Sequence, residues 1–150
     1  MWPRPFSTGH GRWYDKAMER SRDWIFQARG DLNHARLDVQ HAFYDWACFS
    51  AQQAAEKAVK AVLNRLGAEP WGHSVTDLLE SLPSESSAPA ELLDLARELD
   101  TVYISSRYPD ALSSGSPRTR YTRSQAGRMV SHAETIIQFC ESYLSSLQQE

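Results

Sequence analysis

Apolar residues recur at three- and four-residue spacings along five stretches of the chain, the period of amphipathic helices. The stretch from Asp45 to Leu66 is the most regular. It holds neither Gly nor Pro and is rich in Ala, Gln, Glu, Lys and Leu, residues that lose little freedom in a helix. Trp46, Phe49, Gln53, Glu56, Lys60 and Leu63 share one face, and Ala47, Ala51, Ala54, Ala55, Ala58, Val59 and Val62 form the adjoining stripe. Side chains this small let a second helix approach closely. Gln53, Glu56, Lys57 and Lys60 then stand at the edge of an apolar interface.

The same reading places the other elements. Met1 to Arg12, with Pro3, Pro5, Gly9 and Gly11, is expected to be an irregular arm. A helix runs from about Trp13 to Gln40, burying Trp24, Ala28, Leu32 (or Asp31), Ala35 and Val39 and leaving Arg20, Arg22, Arg29 and Arg36 elsewhere. Gly30 inside it costs about 1 kcal/mol against Ala, so a bend or a close helix contact is expected there. Gly67 stops the central helix, Pro70 to Gly72 make a loop, and Ser74 caps a short helix through Leu82, with Asp77 completing a capping-box-like pattern. After a Ser-rich linker from Pro83 to Pro89, a helix from Ala90 to about Arg107 turns Leu92, Leu95, Ala96, Leu99, Val102 and Tyr103 inward. Pro109 disfavours helix at Tyr108 and ends it. Asp110 to Arg120 reads as loop, and Arg123 to Leu147 as a last long helix. No period-2 strand pattern occurs. The expectation is an all-α, antiparallel up-and-down bundle of about five helices, one domain over 13–150.

Composition narrows the class. A hydrophobic share of 41% and a charged share of 23% in 150 residues are those of a soluble globular domain. The net charge of -3 is uneven, with six Lys/Arg against three Asp/Glu in residues 1–30 and one Arg against eight acids in 67–100. No uninterrupted basic run occurs, so duplex DNA is not an expected partner. Cys48 and Cys140 lie inside predicted helices without a Cys-x-x-Cys pattern and read as buried hydrophobes. Met1 to His10 lacks the apolar run of a signal peptide, and no stretch reaches the roughly 18 apolar residues of a membrane span. A cytoplasmic protein is expected.

Three groups could carry chemistry. Ile104-Ser105-Ser106-Arg107-Tyr108-Pro109-Asp110 joins a helix end to a loop. Its Arg can clamp a phosphate through a planar fork and its Tyr can stack on a base. Equally, Arg107 can cap its own helix and pair with Asp110. Gln53, Glu56, Lys57 and Lys60 could hold an anion between helices, or form a salt-bridged face with Glu56 and Lys60 in the favourable i,i+4 order. Arg118, Arg120, Tyr121 and Arg123 mix basic and aromatic side chains as single-strand and nucleotide sites do, or form a solvated loop. The histidines His10, His34, His41, His73 and His132 complete no metal set, and His73 reads as a helix-start residue. No catalytic, metal or cofactor motif is found.

Taken in order, these pieces resemble the HEPN family, the higher-eukaryote and prokaryote nucleotide-binding domains. The matching segments are Trp24, Ala28, Asp31-Leu32 and Ala35; Cys48 to Ala61; Gly72-His73-Ser74-Val75 with Leu78-Leu79; Leu99-Asp100, Tyr103-Ile104 and Ser106-Arg107-Tyr108-Pro109-Asp110; and Tyr121 with Ala126. The resemblance spans roughly Trp13 to Tyr143. It implies a helical bundle that forms homodimers and binds a nucleotide, pairs with a minimal nucleotidyltransferase chain in a toxin–antitoxin system, or acts as a metal-independent ribonuclease. The ribonuclease branch places a His four to six residues after an Arg at the end of this same helix. Here Arg107 is followed by Tyr108, Pro109, Asp110, Ala111, Leu112 and Ser113, with no His. The expected activity is therefore binding, with a ribonuclease toxin and a ligand-free protein-interaction module as alternatives. On that reading Arg107 contacts phosphate, Tyr108 stacks on the base and Asp110 orients Arg107, with Lys57, Lys60 and Tyr121 as further nucleotide-binding candidates.

Overall fold

The computed structural model describes residues 20–148. The expected arm at 1–12 and the first turns of the helix from Trp13 lie outside the described residues. Six α-helices and no strand occur among those described: α1 (Ser21–Gln40), α2 (Tyr44–Arg65), α3 (Val75–Glu80), α4 (Ala90–Ser105), α5 (Pro117–Arg120) and α6 (Arg123–Gln148). Together they make an all-α bundle.

The central stretch is the axis of this bundle, and α2 touches every other helix. Its small stripe is buried as expected, with Ala47, Ala51, Ala54, Ala55, Ala58, Val59 and Val62 wholly removed from solvent beside Ala28, Leu32 and Ala35 of α1. Such short side chains bring two backbones close, and the packing has no slack for a larger one. The opposite flank of the core comes from Ala126, Met129, Ala133, Ile136 and Ile137 of α6 and Leu92, Ala96 and Leu99 of α4. Arg29 ties α1 to α6 through Glu134 and Glu141.

Two expectations for these segments do not hold. Gly30 makes no close helix contact: a Cβ added there would meet nothing within 4 Å. The stretch from Asp110 to Arg120 is not all loop, since it contains a 3-10 turn, Pro109–Ala111, and the four-residue α5. Helices of one turn are too short to show a period. The α1–α2 turn contains no Gly, yet it closes as a Schellman motif, with Phe43 N–H donating to the Asp38 carbonyl at 2.8 Å and Ala42 N–H to that of Val39 at 3.3 Å. Ala42 takes the left-handed conformation this requires, at φ 64°. Where Gly was expected, at Gly67 past the end of α2, φ is 82°.

The short α3 is held from outside itself. Ser74 caps it as expected, accepting from Asp77 N–H at 3.1 Å. Asp77 does not complete a capping box. Instead Asp100 of α4 accepts from Val75 N–H at 2.8 Å, Thr76 N–H at 3.0 Å, the Thr76 hydroxyl at 2.7 Å and the Ser74 hydroxyl at 3.1 Å. One carboxylate satisfies the donors that a helix start leaves open, and its charge suits the positive end of the helix. Gln52, wholly buried on α2, donates to the His73 carbonyl at 2.7 Å and fixes the residue entering that helix. Replacing Asp100 by Ala should lower the free energy of unfolding by about 2–3 kcal/mol, because several donors lose a charged acceptor at once. Denaturant melts of the two proteins measure it; a loss within 0.5 kcal/mol, roughly the scatter of surface substitutions, would show that water replaces the carboxylate at little cost.

Candidate functional site

The end of α4 approaches the first half of α2, and the loop before α3 lies against both. Arg107 sits at this junction. Its Nε donates to the Tyr103 carbonyl one turn back, at 3.0 Å. Its guanidinium carbon lies 4.3 Å from the centre of the Phe49 ring, 4.7 Å from Tyr103 and 5.2 Å from Tyr108. Three aromatic faces thus surround one cation, an arrangement that stabilises the charge without neutralising it. The helix C-terminus adds a favourable partial charge. Among the described residues no hydrogen bond or ion pair engages the Nη groups, so the donating edge of the fork stays uncommitted.

Tyr103 carries the arrangement onward. Its ring stacks on Phe49, with centroids 6.1 Å apart and planes at 30°, and on His73 at 5.2 Å and 19°. Nδ1 of His73 lies 3.2 Å from Oε1 of Glu56. Glu56 is a buried acid whose side chain is 5% exposed, and burial of a carboxylate is tolerated only when its oxygens find donors. Here Lys60 Nζ meets Oε2 at 3.1 Å and Gln53 Nε2 meets Oε1 at 3.3 Å. A carboxylate only accepts, so the His73 proton on this hydrogen bond belongs to Nδ1, and in the neutral ring Nε2 is the lone-pair nitrogen. The His73 side chain is 59% exposed.

The residues expected from the sequence separate into two sets. Arg107, Tyr108 and Lys60 belong to this junction. Tyr108 adopts the extended backbone that Pro109 imposes, φ -124° and ψ 124°, and its half-exposed ring covers one side of Arg107. Asp110 is exposed in the following 3-10 turn and makes no ion pair with Arg107 among the described residues, so the aromatic rings orient Arg107 in its place. Lys57 faces α1, where its Nζ pairs with Asp31 at 2.5 Å. Tyr121 is partly buried, its hydroxyl 2.5 Å from that of Ser105, and burial pushes its phenol up. It joins the end of α4 to the segment entering α6.

The basic group around it is structural as well: Arg118 Nε meets both oxygens of buried Asp45 at 3.1 and 3.2 Å, and Arg123 Nε reaches the Tyr44 hydroxyl at 3.3 Å. His73, Tyr103, Phe49 and Gln52 were not singled out as site residues. The four-residue step from Tyr103 to Arg107 is visible in the sequence and would have paired them on one helix face. Nothing local joins His73 to Glu56.

Both thiols are inert by burial. Cys48 is pushed up to about 12 by desolvation, with Asp45 adding to it, and desolvation pushes Cys140 up as well. The thiolate is the reactive species. At pH 8 a thiol reagent should therefore leave both cysteines of the native protein unmodified for minutes and label two per chain at once in denaturant; rapid native labelling would contradict the packing around α2.

Comparison with known proteins brings in relatives of the whole domain. The family model for the HEPN domain matches residues 21–143. A protein of Methanocaldococcus jannaschii named "Putative toxin MJ1304" is 26% identical over 130 residues, covering 81% of this chain and 86% of that protein. TT1696 from Thermus thermophilus superposes with a TM-score of 0.81 at 44% identity, over 83% of this chain and 98% of that one. The HEPN domain protein TM0613 from Thermotoga maritima gives 0.68 at 54% identity, over 82% and 98%. ST0689, an archaeal HEPN homologue, gives 0.71 at 40% identity, over 82% and 96%.

Proposed function

This chain belongs to the HEPN family, and from that premise we propose that it is a nucleotide-binding module, acting as a homodimer and pairing with a minimal nucleotidyltransferase chain in a toxin–antitoxin system. The observation that carries the binding reading is Arg107, caged by Phe49, Tyr103 and Tyr108 with its Nη edge uncommitted among the described residues. A guanidinium held this way offers two parallel donors to a phosphate. Because the rings already restrict its rotamers, less side-chain freedom is lost when the phosphate arrives. The half-exposed ring of Tyr108 supplies a face for a base, a contact worth about 1–3 kcal/mol in single-strand sites. The toxin name of the Methanocaldococcus relative supports the toxin–antitoxin setting. We assign no cleavage step, since no His follows Arg107 in the family's ribonuclease register.

A second reading has its own support. Phe43, Trp46, Ile104 and Tyr108 are large apolar side chains left well exposed. Where such side chains lie together they mark surfaces that dock on other proteins. On this reading Arg107 is an anchor for a partner chain and no small ligand binds.

Thermal unfolding with a panel of nucleoside mono-, di- and triphosphates separates the two. A ligand bound only to the native state stabilises it by about 2.7 kcal/mol at one hundred times its Kd. One nucleotide should raise Tm in the wild type and in the surface control Arg97→Ala but not in Arg107→Ala. A flat panel at millimolar ligand with intact folding would transfer the assignment to protein docking.

A further inference from the structure

A second concavity lies at the other end of α2. Arg65, in the last turn, is about 24 Å along the helix from Phe49 and the Arg107 junction. There the start of α1 and the end of α6 enclose a cavity of about 450 Å³. Ile25 and Phe26 of α1 and Leu144 of α6 give it an apolar wall, on which Phe26 is 82% exposed. Its charged lining is three arginines, Arg22, Arg29 and Arg65, against one acid, Glu141. Arg29 already holds that acid through Nε and Nη2, and Glu134 through Nη1. Among the described residues no acid pairs with Arg22 or Arg65.

Size separates a macromolecular occupant from a small one. One turn of helix, about 11 Å across and about 5.4 Å long, takes up roughly 500 Å³, so a docking helix would seat no more than that. Small-molecule pockets run from about 300 to 1,000 Å³. The lining then sets the chemistry. An apolar wall open to water is stabilised when a hydrocarbon body covers it. Two guanidinium groups without an acid call for an anionic head, and a carboxylate fits their planar fork.

We propose that this groove binds a medium-chain fatty-acid anion, its carboxylate held at Arg22 and Arg65 and its chain laid along Ile25, Phe26 and Leu144. The site is separate from Arg107 and independent of the nucleotide reading.

The test is calorimetric titration of the full chain at pH 8 with octanoate, decanoate and octan-1-ol as probes. Decanoate should bind one per chain and roughly tenfold tighter than octanoate, because two more methylene groups are buried. Octan-1-ol, equal in length but uncharged, should bind about tenfold weaker than octanoate. Arg22→Met and Arg65→Met, checked for folding by circular dichroism, keep the aliphatic stems. Each should weaken decanoate about tenfold and leave octan-1-ol unchanged. Phe26→Ala, at an exposed position, should weaken acid and alcohol alike, and Arg107→Ala should change neither. No decanoate binding, an alcohol bound as tightly as the acid, affinity that survives both arginine variants, or loss in Arg107→Ala would overturn the proposal. So would displacement of decanoate by adenosine 5′-monophosphate or by a peptide of residues 1–19, which would give the groove to a nucleotide or to the preceding segment of the chain.

Discussion

The geometry of the junction depends on one carboxylate reaching between helices. Asp100 takes two backbone N–H groups and two hydroxyls at the start of α3. A helix of six residues has little stability of its own, because nucleation is costly and few internal hydrogen bonds follow it. Its place is fixed by a neighbour that accepts the donors its first turn leaves open. His73 lies one residue before the cap, so its position against Glu56 and Tyr103 is inherited from this contact. Stability and the geometry of the junction meet in one residue, Asp100.

Arg107 illustrates a choice between two ways of holding a cation. A carboxylate partner would fix the guanidinium firmly, and would also compete with any incoming phosphate. Aromatic faces fix it while leaving its charge and its outer donors available. The acid that does lie nearby, Glu56, is already engaged by Lys60, Gln53 and His73. Charges at the junction are thereby sorted: Glu56 is buried and paired with Lys60, and Arg107 rests on aromatic rings without an acidic partner among the described residues.

The bundle was legible because helix periodicity is a local signal. The alanine stripe of α2, the Gly67 stop, the Ser74 cap and the Pro109 break all come from residues within a few positions of one another, and each holds in the structure. The α1–α2 turn was harder, since Ala42 occupies a conformation usually given to Gly. The site was legible only in part. Arg107 and Tyr108 stood out as chemistry at a helix end, and Lys60 as an ion pair one turn from Glu56. Polar side chains in Arg118 and Lys57 gave no sign that their partners, Asp45 and Asp31, lie 73 and 26 residues away. The bond from His73 to Glu56, across 17 residues and a loop, is likewise a product of tertiary packing.

Glu56 has a consequence beyond its own hydrogen bonds. Displacing His73 would strip a donor from an acid shut inside the protein, so that flank resists adjustment. Tyr108, half-exposed at the margin of the helix end, carries no such obligation and can yield. The junction thus behaves as an anvil on one side and a pliable jaw on the other. Any group seated at this junction would meet fixed geometry beside His73 and adjustable geometry beside Tyr108.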